Sequence, residues 1–585
     1  MNRSHGNLNA VRKLVRPFDR SFGDYLREQG ASPAIELAGI LASWSLAQGH
    51  IALDIRGISP EKIWPDLTIH HDLALAVTAD DLRSSPLVGD PTATTPLVLL
   101  GSKLYIRRYF QYETTVVEWV LNRIGKRADG IPSVNKKMLS LIKNSSSDIY
   151  QTAGTLMPLF SSFSIISGGP GTGKTFSVAK LLAMLVSEQS DLRIALCAPT
   201  GKAAQRMNEA MKGTIGSAGF SGIDEQTKER LKKLNATTIH RLLGTRYQST
   251  KFRHCKENPL PIDLLLVDEA SMIDLPLMAK LLSAVPQEAA TILLGDRNQL
   301  ASVEVGSIFG DLCQSFRQNS FNGEFLNALQ SVLPHTLSAS GTLSPVVELR
   351  KSYRFSDESE VGRLSRQIND GESPYNKSLR EIGFSDTLTD IDLSSYSKTL
   401  KDAKDELTAL RSLTEGMILT VRNRGRYGQE AINKGMMPRG KRICHNMPII
   451  ITQNNRTLNL YNGDIGVVRR EKKKDGFTAW FFDENNRPRS FPLEILPAWQ
   501  TAYAITIHKS QGSEYARIAI ILGEKESPLV TKELLYTAVT RVKPKEDDSN
   551  DCVLIQGKER LLEAAVKRRV KRCSGIVERV KELLP

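Results

Sequence analysis

Short apolar runs punctuate the middle of the chain at residues 164–167 (SIIS), 194–198 (IALCA), 264–267 (LLLV) and 291–294 (TILL). Turns of glycine, acidic or small polar residues follow them, and stretches such as 178–186 (VAKLLAMLV) carry apolar residues at helical spacing. Runs without polar alternation predict strands buried on both faces, and hence a parallel sheet covered by helices. The rhythm returns at 417–421, 516–522 and 552–556, which predicts a second α/β unit. Between these, residues 436–496 carry short alternating stretches with turns at YNGD, KKDG and DENN, predicting a small β-barrel inserted into the second unit.

The flanks are of another kind. Residues 33–48 have helical spacing and stop at Gly49, ahead of a strand-like HIALDI. The Gly/Ser-rich stretch 213–222 is expected to be a mobile loop, and 369–397 is polar. A chain of 585 residues exceeds one hydrophobic core, so several domains are expected. The division read from the pattern is 1–115, 116–346, 347–435 with 497–585, and the insertion 436–496.

Lys and Arg total 78 against 64 Asp and Glu, a net charge of +14 that favours a polyanionic partner such as nucleic acid. The six cysteines are far apart and form no C-x-x-C pair, so neither a zinc ribbon nor an iron–sulfur cluster is suggested. His70 and His71 lack a second ligand cluster, so a solvated or capping role is expected of them. The first residues carry basic side chains without an apolar stretch behind them, and no run reaches the roughly 18 apolar residues of a membrane span. An intracellular protein without a membrane partner is expected.

Candidate chemistry begins at Gly168-Gly169-Pro170-Gly171-Thr172-Gly173-Lys174-Thr175, which fits the pattern G-x-x-x-x-G-K-[ST] between a strand and a helix. Such a loop turns backbone N–H groups toward the phosphates of a nucleotide, with help from the helix N-terminus. Lys174 would reach the β- and γ-phosphates of ATP, and Thr175 would ligate Mg²⁺. The run 264–267 ends in Asp268 and Glu269, placing one carboxylate on the Mg²⁺ shell and the other near an attacking water. That pairing suits an ATPase better than a kinase, which would aim a substrate hydroxyl at the γ-phosphate. A third strand end, GDRNQL, carries Gln299 as a γ-phosphate sensor. Arg354 and Arg541 would complete a hydrolysis site if both arrive from the second unit. Each alone reads as a surface ion-pair partner.

The stretches SIISGGPGTGKT, APTGKAAQRM, TTIHRLLG, LVDEASMIDLPLM, GDRNQLASVEVGSIFGDL, LYNGDIGVV and AITIHKSQGSEY resemble superfamily 1 helicases. Their wording is similar to the RecD family, the α subunit of the exonuclease V (RecBCD) complex, over roughly 151–541. The opening RPFDRSFGDYLREQGASPAIELAGILAS is similar to the N-terminal domain by which such subunits dock on partners. The resemblance implies two RecA-like P-loop domains, a mostly helical docking domain and an SH3-like insertion, in an overall α/β fold. It implies that Gln151 reads adenine and that Gln511, Gly512 and Glu514 meet the nucleotide cleft. Thr200, His240, Thr506 and His508 would line a single-strand DNA track. It also implies 5′ to 3′ movement, action at duplex DNA ends, RecB-like and RecC-like partners in a heterotrimer, and a bacterial cytoplasmic location, nucleoid-associated when on DNA. No carboxylate cluster with a nearby lysine suggests a nuclease site, so cutting would belong to a partner. A stand-alone RecD-like helicase, a regulatory subunit with a switching ATP site, and an RNA helicase are the rival readings.

Overall fold

The computed structural model describes residues 2–59, 77–143, 148–217, 220, 222–334, 337–355, 359–373, 384–385, 388, 391–455, 457–470, 476–483, 486–543 and 552–584. His70 and His71 lie outside them. A six-stranded sheet forms the first α/β unit, in the order Val346–Leu349, Phe163–Gly168, Ala290–Gly295, Leu264–Val267, Ile194–Ala198, Thr237–Thr238. Every pairing in it is parallel. Burial explains the unbroken runs. Ile166, Leu266, Ile292 and Leu294 face one apolar core, whereas Phe163, Ile165, Leu265 and Leu293 face another.

The second α/β unit has the parallel order Phe384–Ser385, Val553–Gln556, Arg517–Ile521, Gly416–Thr420, Ala504–Thr506. Between its adjacent strands Gly416–Thr420 and Ala504–Thr506 the chain makes an antiparallel excursion. That sheet runs Pro488–Pro492, Phe477–Phe482, Ile465–Arg470, Met447–Ile451, Trp499–Thr501. It takes in Trp499–Thr501, beyond the expected limit at 496, because those residues pair with Met447–Ile451. Its order is open: the two outermost strands each bond to one neighbour among the described residues.

The described residues of the opening segment fold as helices Asn2–Leu14, Pro17–Glu28 and Pro33–Ala47, with a short one at Ala79–Arg83, on a four-stranded mixed sheet. Helix Pro33–Ala47 starts at Ser32, whose hydroxyl accepts from the Ile35 N–H, and ends before Gly49 at φ +86°, a left-handed position suited to glycine. Of the expected strand in HIALDI, only Leu53–Asp54 pairs.

Three expected boundaries move. Helix Arg107–Leu121 runs straight through residue 115, and Phe110, Val116, Val117 and Val120 lie in the core of the first α/β unit. Strand Val346–Leu349 straddles the expected limit at 346 and belongs to the first sheet. Helix Ile576–Leu583 returns to the first unit, where Ile576 and Val580 enter that same core. Of the stretch 213–222, residues 218, 219 and 221 lie outside the described residues; helix Gly201–Ile215 enters it, and Phe220 is buried edge-on against Phe176 at 6.3 Å. Cys197, Cys313 and Cys552 are buried. Among the described residues no helix is long and apolar enough to cross a membrane.

Candidate functional site: a nucleotide cleft between two α/β units

The motif residues gather where the parallel strands of the first sheet end, the usual binding edge of such sheets. Strand Phe163–Gly168 leads into the glycine loop, and helix Lys174–Glu188 leaves it. Gly171 and Gly173 have φ of +77° and +86°. A Cβ at Gly171 would run into Arg354, and one at Gly173 into the Gln151 amide. These glycines therefore serve both conformation and close approach. Buried Gln151 donates from Nε2 to the Thr172 carbonyl at 3.0 Å, which ties it to the loop. Lys174 Nζ donates to the carbonyls of Gly168 (2.5 Å) and Gly169 (3.2 Å), holding its charge over the loop. Ser352 Oγ donates to the Pro170 carbonyl at 3.2 Å, and the Tyr353 N–H to that of Gly171 at 2.8 Å. Arg354 is thus carried off the end of strand Val346–Leu349, in the first unit, rather than arriving from the second.

At the end of Leu264–Val267, one oxygen of Asp268 accepts from the Glu269 N–H at 2.8 Å. Burial, with the neighbouring Glu269 charge, pushes the Asp268 carboxyl up to about 6, against the pull of Lys174. Glu269 sits in the left-handed region at φ +51°. A non-glycine residue held there is strained, and such strain clusters at functional sites. Past Ala290–Gly295, burial raises the Asp296 carboxyl while Lys174 works to lower it. Buried Gln299 donates to Asp296 at 3.1 Å. The Asp268 carboxylate and the Thr175 hydroxyl at the head of the loop helix are both oxygen donors of the kind a hard divalent cation such as Mg²⁺ takes.

The second unit closes the cleft with helix Lys532–Val539 and Arg541. Buried Arg541 donates to the Thr537 carbonyl at 2.9 Å and to the Thr540 hydroxyl at 3.4 Å. Burial lowers its pKa, and Glu269 across the cleft is close enough to oppose that effect. The Leu300 N–H donates to Thr537 Oγ1 at 3.0 Å, and Gln511 Nε2 to the Leu300 carbonyl at 3.4 Å. Glu514 accepts from Arg354 at 2.5 Å, with Arg206 at 3.5 Å and Lys543 at 4.0 Å. Burial works to raise the Glu514 pKa, yet these cations and Arg541 hold it below the usual carboxylate value. Gly512, at φ +69°, makes the turn between Gln511 and Glu514.

The expected track residues are more dispersed. Thr200 caps helix Gly201–Ile215, its hydroxyl accepting from the Ala203 N–H at 3.2 Å. Thr506 is buried and accepts from the Lys509 N–H at 3.4 Å. Burial, then Arg572, lowers the His508 imidazole. His240 is exposed and meets Phe252 edge-on at 5.7 Å.

Several residues at these joints escaped the sequence reading. Lys202 Nζ donates to Ser513 Oγ at 2.5 Å and to the Gly463 carbonyl at 3.5 Å, linking the first α/β unit to the second and to the inserted segment. Burial, then Arg206, pushes the Lys202 ammonium down to about 8. Tyr536 is buried with its hydroxyl 2.6 Å from where a Cβ on Gly169 would lie, and it hydrogen-bonds Asp296. Both lie inside motifs quoted for the family resemblance or beside Arg541, but a lone lysine or tyrosine carries no pattern of its own.

The model of the RecBCD enzyme subunit RecD N-terminal domain matches residues 11–105. An AAA domain matches 151–305, and a UvrD-like helicase C-terminal domain matches 501–545. The RecBCD enzyme subunit RecD of Mycolicibacterium smegmatis is 33% identical over 611 residues, covering 98% of this chain and 99% of that protein. That of Mycobacterium tuberculosis is 33% identical over 581 residues, covering 93% and 90%. The ATP-dependent RecD2 DNA helicase of Deinococcus radiodurans is 28% identical and covers 71% of this chain but 50% of its own length. Among solved structures, a Bacteroides Pif1 helicase in complex with ADP-AlF3 and ssDNA is 18% identical, with a TM-score of 0.38, covering 74% of this chain and 94% of that one. With a third of its residues identical across nearly the full length of a curated RecD, the chain belongs to the RecD family, the RecD subunits of RecBCD enzymes.

Proposed function

We propose that this chain is the ATP-driven DNA helicase subunit of a RecBCD-type enzyme, moving 5′ to 3′ along one DNA strand in double-strand break repair and recombination. One observation carries the reading. The glycine loop of one α/β unit meets the other unit across a cleft, where Arg354 donates to Glu514 at 2.5 Å, the Tyr536 hydroxyl lies 2.6 Å from where a Cβ on Gly169 would lie, and Glu269 and Arg541 feel each other's charge. ATP bound there would touch both units, so its hydrolysis would alter their spacing.

Gln151 would meet adenine, and the loop 168–175 would cradle the phosphates with Lys174 on the β- and γ-oxygens. Thr175 and Asp268 would hold Mg²⁺, which supplies charge neutralisation at the γ-phosphate. Glu269 would orient water, and Gln299 would report the γ-phosphate to the Leu300 turn held by Thr537 and Gln511. Arg354 and Arg541 would stabilise charge on the transferring group, with Glu514 holding Arg354 in place and Gly512 shaping that wall.

Thr200 caps a helix and Thr506 a turn, each at the end of a strand, and short polar groups there would meet DNA phosphates. His240 and His508 would flank the path. Contacts of this kind grip a backbone without reading bases, and the charge of +14 adds salt-dependent affinity. The polarity and the RecB-like and RecC-like partners rest on the family resemblance. The N-terminal module ahead of helix Arg107–Leu121 would dock those partners, the two parallel-sheet units would form the motor, and the inserted antiparallel sheet would be an SH3-like subdomain. The cytoplasm is the expected compartment.

The test is steady-state ATP hydrolysis across titrations of single-stranded DNA and of RNA, followed by unwinding of duplexes with 5′ or 3′ overhangs. DNA-stimulated turnover and unwinding from the 5′ overhang are expected. Equal stimulation by RNA, or turnover indifferent to both, would overturn the DNA-motor reading.

A further inference from the structure

After strand Val553–Gln556 and helix Glu559–Lys567 the chain leaves the second α/β unit and crosses to the first. The crossing is fixed at Arg572. Its Nη1 donates to the carbonyls of Glu304 (2.6 Å) and Gly306 (2.5 Å), and its Nη2 to that of Ser302 (2.5 Å). These three carbonyls belong to the loop that begins at Asp296 and Gln299 in the cleft. The opening segment closes the junction from its other side. The Gly306 N–H donates to the Gly49 carbonyl at 2.9 Å, the Ile51 N–H to the Cys573 carbonyl at 2.8 Å, and the Cys573 N–H to His50 Nδ1 at 2.9 Å. A Cβ on Gly49 would lie 2.9 Å from the Arg572 guanidinium.

The junction therefore joins three bodies: the loop carrying Gln299, gripped by the guanidinium, the N-terminal module, bonded to Cys573 and Gly306, and the segment leaving the second unit. A planar fork can hold separate carbonyls in fixed directions, which a flexible ammonium cannot. Side chains anchor the loop at two places, Thr537 and Gln511 at Leu300 and Arg572 at 302–306, alongside backbone bonds from the Leu275 N–H to the Val305 carbonyl and from the Gly306 N–H to the Gly49 carbonyl. Losing the second would leave Gln299 free to shift, and a displacement of about 1 Å near reacting groups can cost about 10²-fold in rate.

We propose that Arg572 is a positioning residue for ATP hydrolysis, and that through it the N-terminal module bears on the Gln299 side of the cleft. The role rests on the reading of the cleft as a DNA-stimulated ATPase. A partner seated on the module would then adjust turnover without touching ATP or DNA.

The full-length chain is assayed as wild type, Arg572→Ala, His50→Ala and the double variant, with kcat and KM for ATP measured at saturating single-stranded DNA. Arg572→Ala is expected to lower kcat by about tenfold to a hundredfold, with KM nearly unchanged. His50→Ala should lower kcat by less, and the double variant should be no slower than Arg572→Ala alone, since both act through one junction. If the alanine variant does not fold, Arg572→Lys carries the same kcat-against-KM test. A kcat within twofold of wild type in the arginine variant that folds overturns the role, as do multiplicative losses in the double variant. Absence of DNA-stimulated hydrolysis in the wild type would instead overturn the reading of the cleft, and this role with it.

Discussion

Glu269 and Arg541 face each other across the cleft with opposite tasks, and each can be tested alone. Glu269→Gln leaves Asp268, Thr175 and the glycine loop intact. ATP should bind with little change while hydrolysis falls by about 10²-fold or more. Loss of ATP affinity in parallel with the rate would make Glu269 a binding residue instead. Arg541→Ala should reduce DNA-stimulated hydrolysis on the order of 10³-fold, and Arg541→Lys should not restore it. The fold should tolerate the change, because the Thr540 hydroxyl also donates to the Thr537 carbonyl that Arg541 caps. Lys174→Gln should abolish turnover with the melting temperature held, since Lys174 Nζ donates only to the loop's own Gly168 and Gly169 carbonyls among the described contacts. At this scale the sequence was most legible where chemistry is local. The spacing from Gly168 to Thr175 and the Asp268–Glu269 pair at a strand end stand out as patterns, because a loop that turns its N–H groups toward phosphate prescribes residue types at fixed spacing. Lys202, Tyr536 and Arg572 stayed silent, because their meaning comes from partners hundreds of positions away.

Elements were legible in proportion to how strongly burial shaped them. Strands such as Ile194–Ala198 and Leu264–Val267 lie inside a two-faced core, so their composition is dictated at every position. Trp499–Thr501 was missed because it is three residues long and half-exposed, and only its partner strand defines it. Helix Ile576–Leu583 could be read as amphipathic, but not which core it would enter. Its docking leaves a titratable mark. Asp311 accepts from the Ser574 hydroxyl at 2.7 Å, and burial pushes its carboxyl up to about 7. Glu113 and Glu578 add to that push and Arg572 opposes it. The native state therefore binds this proton more tightly than the unfolded chain does. The stability it contributes is full below about pH 4 and is lost as pH rises through about 7. Asp311→Asn should shrink the fall in melting temperature between about pH 5 and pH 8; an unchanged difference would remove Asp311 from the account.

Across the whole molecule the N-terminal module is welded to the motor rather than tethered. Ile51, Val98, Tyr105 and Phe110 share a core with the first sheet, and buried Glu113 accepts from the Gly575 N–H at 2.9 Å and from Arg579 at 3.2 Å. A cut at residue 115 would split helix Arg107–Leu121 and expose that core, so truncation should destabilise the motor rather than free it. Docking is better tested at the surface. Phe18 and Tyr25, 70% and 47% exposed on helix Pro17–Glu28, are available to a partner. The pair Phe18→Asp and Tyr25→Ser should abolish co-purification with the partner subunits while leaving DNA-stimulated ATP hydrolysis unchanged. Undiminished co-purification would move the docking surface elsewhere.

The return of residues 576–583 to the first core also orders the making of the protein. While the ribosome is still working through the second sheet, the first lacks the helix that brings Ile576 and Val580 to Ile308, Phe309 and Leu312. The nascent chain must carry that apolar groove uncovered through the synthesis of the inserted sheet and of everything after it. Contacts so distant in sequence close slowly, and uncovered apolar surface in unfinished chains invites aggregation. The unit begun early in synthesis is thus completed late, and a growing chain is expected to stay prone to aggregation until residues 576–583 emerge.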